Sequence, residues 1–222
     1  MDKLIQLQNL ARKRQKTIRE GYKNIGDFHN GIYECNFVSP YTKSAGKVNA
    51  SIMIVLQDWL GVDKLSGPII QDAIDLGHLP SLPTNKRLKE LLAHHLNLSL
   101  SDTYATNLFP LIKYGNLSTN IPLKDMVWAA QQFGIPQIEI VQPDIVVCLG
   151  LRTFNALRKS VGLLSCPTIG IAIESVFIIG KSKIFCQAHT GTLGQIGRGY
   201  EQVESDWRSM CDFNRKTPNR SF

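Results

Sequence analysis

An acid, an amide and an imidazole each stand just past a short apolar run. Asp58 follows Ile52-Met53-Ile54-Val55-Leu56-Gln57, Asn107 follows Thr103-Tyr104-Ala105-Thr106, and His189 follows Ile184-Phe185-Cys186-Gln187-Ala188. A carboxylate stabilises positive charge or orients a water, and an imidazole exchanges protons or hydrogen-bonds a polar atom. An amide offers one acceptor and two donors, enough to read the edge of a ligand. Each residue has a plain structural alternative. Asp58 suits a helix N-cap, Asn107 a turn, and His189 a satisfied histidine in a glycine-rich turn. The convergence of all three at strand ends favours a site.

The elements that must position them are legible as patterns. Residues 51–56, 103–107, 144–149 and 183–188 are short, β-rich and continuously apolar, as strands buried on both faces must be. Helical spacing separates them at 84–96, with Leu88, Leu91, Leu92 and His95 on one face, and again at 123–133, 151–161 and 200–211. The alternation predicts a single α/β domain over residues 1–222. Its architecture would be three-layer α/β/α around a central, mainly parallel four-stranded sheet. In such a sheet, ligands bind outside the carboxyl ends of the strands. Ahead of it, residues 3–22 read as a basic helix, with Leu4, Leu7, Leu10 and Ala11 at helical spacing. Its basic face is solvated in the plainer reading and touches phosphates in the other. Residues 30–49, holding Ser39, Pro40, Tyr41, Thr42, Lys43 and Gly46, read as loop.

The 222 residues are enough for one sizeable core, and 43% hydrophobic with 19% charged residues is globular composition rather than disorder. The formal net charge of +7 suits an anionic partner, of which nucleic acid is the commonest, or simply a basic soluble protein. Cys35, Cys148, Cys166, Cys186 and Cys211 form no C-x-x-C pair, so reduced thiols are expected rather than a metal or iron–sulfur site. No secretory h-region follows Met1 and no apolar stretch approaches membrane-spanning length, so the expected protein is cytoplasmic and free of membrane.

Together the motifs resemble the uracil-DNA glycosylase superfamily from about residue 50 to 211. Gln57-Asp58 looks like the QD of its GQDPYH motif, and the stretch from Pro83 through Lys86-Arg87-Leu88-Lys89-Glu90-Leu91-Leu92 like the helix that follows. Thr106-Asn107-Leu108-Phe109-Pro110 is similar to the strand end that carries the base-reading Asn. Gln142-Pro143-Asp144-Ile145-Val146-Val147-Cys148-Leu149-Gly150 resembles the family's next strand and turn, and Ala188-His189-Thr190 sits where its HPS motif would. Each match is short, and the specificity lies in their order and spacing.

The resemblance implies a monofunctional DNA glycosylase, acting as a monomer without metal or diffusible cofactor. Asp58 would stabilise the oxocarbenium-like sugar and position water, and His189 would hydrogen-bond the departing base. Asn107, Gln57 and Leu60 would line the base pocket. The glycine-rich stretch 191–199 would be a loop entering the minor groove, with Leu193 or Ile196 as an apolar wedge and Arg198 on phosphate, and Thr190 and Lys86 would add backbone contacts. A surface loop without DNA contact is the alternative. No lysine stands out as the nucleophile of a lyase step.

The pattern also departs from the family. Leu56 replaces the first Gly of GQDPYH, and Trp59-Leu60 replaces Pro-Tyr, where the family's Tyr crowds the C5 position of uracil. The base would then be uracil or a C5-modified pyrimidine, such as a modified cytosine of phage DNA, the latter implying antiviral defence rather than DNA repair. The aromatic that stacks on the base is not evident, and Phe109, Tyr104 and His78 are poorly placed by position. Two other classes compete. A nucleotide-binding enzyme would use Gly191, Gly194, Gly197 and Gly199, but these do not give G-x-G-x-x-G. A non-catalytic DNA-binding member of the fold would bind without base release.

Overall fold

Each of the four apolar runs becomes a strand, because a backbone buried on both sides must find its hydrogen bonds in neighbouring strands. The computed structural model describes residues 2–216. Helix α1 (Lys3–Gln15) is capped by the Asp2 carboxylate, which accepts from the Leu4 amide at 2.9 Å. It stops well short of residue 22, where the basic pattern alone would end it. The Asn24 side-chain amide donates to the carbonyls of Arg14 and Gln15, at 3.0 Å each, and takes the bonds that a further turn would use. Strand β1 (Tyr22–Lys23) follows, then a turn-rich stretch, then β2 (Ile52–Asp58). Two short helices, α2 (Val62–Leu65) and α3 (Gln71–Asp75), lead to α4 (Pro83–Leu96). Pro83 suits the first turn of α4, and Asn97 closes the helix with φ of 54°.

Next come β3 (Tyr104–Phe109), β4 (Ile112–Lys113) and α5 (Leu123–Ala129), which passes through a π-turn at Ala130–Gly134 into α6 (Ile135–Val141). The chain ends with β5 (Ile145–Leu149), α7 (Leu151–Ser160), α8 (Ile169–Glu174), β6 (Phe177–Ile179), β7 (Ser182–Gln187), α9 (Thr192–Arg198) and α10 (Tyr200–Lys216).

The central sheet has five strands in the order β3-β2-β5-β7-β6, not four. The four expected strands are parallel, while β6 pairs antiparallel with β7 through Ile179 and Ser182. A separate antiparallel ribbon joins β1 to β4, with Tyr22 opposite Lys113. Strand alternation splits the interior in two. Met53, Val55, Val146, Cys148, Ile184 and Cys186 face α5, α6, α7 and α8. Ile54, Leu56, Val147, Leu149 and Phe185 face α4 and α10, against Leu88, Leu91, Leu92 and Trp207. Each of those fully buried leucines contributes about 1.5–3 kcal/mol. Burial pushes the Cys148 and Cys186 thiols up, so both behave as apolar filler. A third apolar cluster of Ile25, Phe28, Tyr33, Trp59, Leu60, Leu65 and Ile112 lies under the segment that follows β2. No helix among the described residues is long and apolar enough to cross a membrane.

Candidate functional site

The parallel register sets the ends of β2 and β3 side by side, with Leu56 opposite Asn107 and Asp58 opposite Phe109. Asn107 is 1% exposed and held at both ends of its amide. Ser39 Oγ donates to Oδ1 at 2.6 Å, and Nδ2 donates to the Asp58 backbone carbonyl at 2.7 Å. One N–H and one lone pair remain for a ligand, in a fixed orientation.

The Asp58 carboxylate accepts from Gln57 Nε2 at 2.9 Å and forms an ion pair with Lys113 Nζ at 2.7 Å. Lys113 is buried and the Asp58 side chain only 9% exposed, and Lys113 also donates to the Leu117 carbonyl at 2.8 Å. A lysine that the sequence did not single out thus stands beside the acid. Its ammonium is committed to Asp58 and Leu117, so it fixes the carboxylate rather than acting as a nucleophile. The β1–β4 ribbon delivers it, and a two-residue strand set by pairing with Tyr22 and Lys23 leaves no trace in local sequence.

His189 follows β7. The Gly191 amide donates to its Nδ1 at 3.0 Å, so the ring proton sits on Nε2, the nitrogen free of protein partners. Burial lowers the affinity of the ring for a second proton, and the nearby Asp58 charge only partly offsets this. At neutral pH the residue is a neutral Nε2–H donor. Helix α9 holds it there. Gln195 Nε2 donates to the His189 carbonyl at 3.1 Å, and Arg87 Nε donates to Gln195 Oε1 at 2.9 Å. A Cβ on Gly194 would stand 2.2 Å from the His189 carbonyl oxygen, so only glycine lets α9 lie this close.

Asp58, Gln57, Leu60, Asn107 and His189 line one pocket of about 190 Å³. That is below the range of roughly 300–1,000 Å³ common for drug-sized ligands, and suits a single planar ring better than a dinucleotide. The sequence-based site residues of the strand ends are thus brought together. Three aromatic residues share the wall: Tyr41, Trp59 and His78. Tyr41 comes from the segment read as loop, which is packed down by Tyr41 Oη donating to Asn85 at 2.8 Å and Thr42 Oγ1 donating to the Ala105 carbonyl at 2.8 Å. Gly77 permits the crossing, since a Cβ there would lie 1.7 Å from the Pro40 carbonyl oxygen. His78, discounted by position, does line the pocket, whereas Tyr104 and Phe109 do not. Its Nδ1 faces the Leu76 carbonyl at 3.2 Å, and its buried Nε2 has no partner.

The candidate DNA contacts are distributed differently. Residues 192–198 are helix α9 rather than loop, because the bonds from Gln195 and Arg87 and the close seat of Gly194 outweigh two weak helix formers. Leu193 is 85% and Ile196 64% exposed on it. Arg198 gives Nε and one terminal nitrogen to Asp206, at 2.7 and 3.0 Å, so only its other terminal nitrogen stays outside that pair. Lys86 is exposed on α4. Thr190 is buried, with a hydroxyl that faces neither solvent nor a protein partner. Compared with known proteins, the chain matches no family model and no curated protein.

Proposed function

We propose that this protein is a DNA glycosylase of the uracil-DNA glycosylase type, which flips a pyrimidine out of DNA and hydrolyses its N-glycosidic bond. One observation carries the reading: a carboxylate, an oriented amide and a neutral histidine with a free Nε2–H share one ring-sized pocket at the carboxyl ends of parallel strands. As the bond from C1′ to the base breaks, its electron pair leaves with the base and positive charge grows on the sugar. The Asp58 carboxylate stabilises that charge and orients water for attack at C1′. His189 Nε2–H meets the negative charge on a base carbonyl oxygen, without the cost of transferring a proton. Asn107 reads the pairing edge with its remaining donor and acceptor. Tyr41, Trp59 and His78 supply the stacking surface, and Leu60 the wall beside C5. Leu193 and Ile196 form the wedge that fills the vacated stack, with Lys86 and Arg198 on phosphate. The base is uracil or a C5-modified pyrimidine, including modified cytosines of phage DNA, which would make the enzyme a defence factor.

A second reading draws on Lys113. Both Asp58 oxygens already have protein partners, which suits a member of the fold that binds DNA without cleaving it. Incubation with single- and double-stranded oligonucleotides carrying uracil, mismatched thymine or modified cytosine, followed by alkali, decides between them. Strand breaks that Asp58→Asn cuts by about a thousandfold and His189→Ala by about a hundredfold establish the glycosylase, and the cleaved substrate names the base. Salt-dependent binding with no breaks from any substrate establishes the second reading.

A further inference from the structure

Outside the pocket, three metal-ligating side chains meet between α4 and α10. Glu204 Oε2 lies 3.2 Å from His94 Nδ1 and 2.6 Å from His95 Nε2, and the three donor atoms all fall within 4.8 Å of one another. Neighbouring residues of a helix normally point apart, yet here the two imidazoles stack at 4.7 Å between centroids and aim at one carboxylate oxygen. His95 is fixed from behind by Trp207, with ring centroids 6.2 Å apart. Both histidines sit in the last turn of α4, where the negative end of the helix dipole favours a cation.

The other carboxylate oxygen, Oε1, accepts from Arg87 at 2.7 Å. A ligating carboxylate whose far oxygen is hydrogen-bonded is the usual outer arrangement of a metal centre. We propose that His94, His95 and Glu204 form a zinc-class divalent metal site that staples α4 to α10. Around a tetrahedral ion with bonds of 2.0–2.1 Å, ligand atoms stand about 3.3 Å apart. The His94 to Glu204 spacing already matches, and the His95 to Glu204 pair needs to open by less than about 1 Å. Water takes the fourth position. Two imidazoles and one carboxylate select zinc-like ions over magnesium or calcium, which prefer all-oxygen shells. The site does not depend on the DNA-cleavage reading. Through Arg87 and Gln195 it is nonetheless joined to the His189 carbonyl, so its occupancy bears on the element that seats that histidine.

The test uses the untagged chain, stripped with chelator and desalted, titrated with Zn²⁺ by calorimetry and thermal unfolding. His94→Ala is the deciding variant, because that side chain is 69% exposed and its loss leaves the core intact. The expected result is one Zn²⁺ per chain and a Tm rise of about 5 °C or more at a hundredfold excess over Kd. Co²⁺ should give a visible absorption band, and His94→Ala should lose the band and the Tm rise while keeping the Tm of the metal-free protein. A wild-type chain without stoichiometric binding overturns the proposal. So does a His94→Ala variant that responds like wild type, or an equal Tm rise with Mg²⁺.

Discussion

The cluster around Arg14 and the pocket at the ends of β2, β3 and β7 both place charged and amide groups where water is scarce, yet they dispose of their hydrogen bonds differently. Arg14 is fully buried. Its Nε has no partner, but one terminal nitrogen donates to Asn24 and Glu34 and the other to the carbonyls of Cys35 and Phe37. Nearby, Arg19 pairs with Asp125 and lies 4.2 Å over the Trp128 ring. Lys3 and Lys13 reach back to the Val141 carbonyl and to Gln132, at 2.8 Å each. In the pocket, by contrast, His189 Nε2, half of the Asn107 amide and His78 Nε2 are left over. Burial of polar groups is thus no mark of function by itself. What distinguishes the pocket is that its leftover valences line one shared cavity, whereas the Nε atoms of Arg14 and Arg19 are left over singly in the packed N-terminal region. Much of the positive charge in the first 20 residues is spent on folding, so the net charge overstates the surface available to an anionic partner.

The sharpest way to break this comparison is to exchange the two phenotypes. Asp58→Asn should cut base release by about a thousandfold, about 4 kcal/mol in barrier height, in steady-state or single-turnover assays. A variant with near wild-type rates would remove Asp58 from the chemistry and return the pocket to the scaffold class. Arg14→Met should do the reverse. It removes the cationic partner of Glu34 and the guanidinium donor to the Phe37 carbonyl, and should cost about 3 kcal/mol of stability, seen as a fall of roughly 6–12 °C in Tm. Activity per folded molecule should be unchanged. A variant that kept its Tm but lost activity would show that the N-terminal cluster belongs to the site after all.

How much of this was legible in the sequence follows the same divide. The four parallel strands announce themselves as apolar runs, and Asp58, Asn107 and His189 follow from where those runs end. The antiparallel edge strand β6 is three residues long and was hidden by the helical stretch before it, although Gly180 next to Lys181 marks the tight turn into β7. Helix α9 was hidden because Gly194 and Gly197 read as loop, when Gly194 is there to let the helix touch the strand end. Lys113, Tyr41 and the metal-ligating trio have no local signature. Each is defined by a partner far along the chain, such as Glu204, which lies 109 residues beyond His95. Sequence spacing shows what one element presents, and pairing across elements has to be seen.

Acid provides the finest separation of the two regions, through stability rather than rate. Burial lowers the pKa of both His189 and His78, so between their folded values and the ordinary value of about 6.5 the unfolded chain binds more protons than the native one. Native stability should therefore hold above about pH 6.5 and fall as the pH drops through that window. The Arg14 cluster titrates elsewhere. Burial pushes the Glu34 carboxyl up, but the hydrogen bond and charge of Arg14 outweigh it and leave the group below its ordinary value. Its contribution is then intact above about pH 4.3 and lost only in stronger acid. Urea midpoints measured from pH 8 to pH 5 should fall in the wild type, fall less in His189→Gln, and keep the wild-type slope in Glu34→Gln. A slope that followed Glu34 instead would place the acid-sensitive element in the N-terminal cluster and remove the case for a neutral, proton-donating His189.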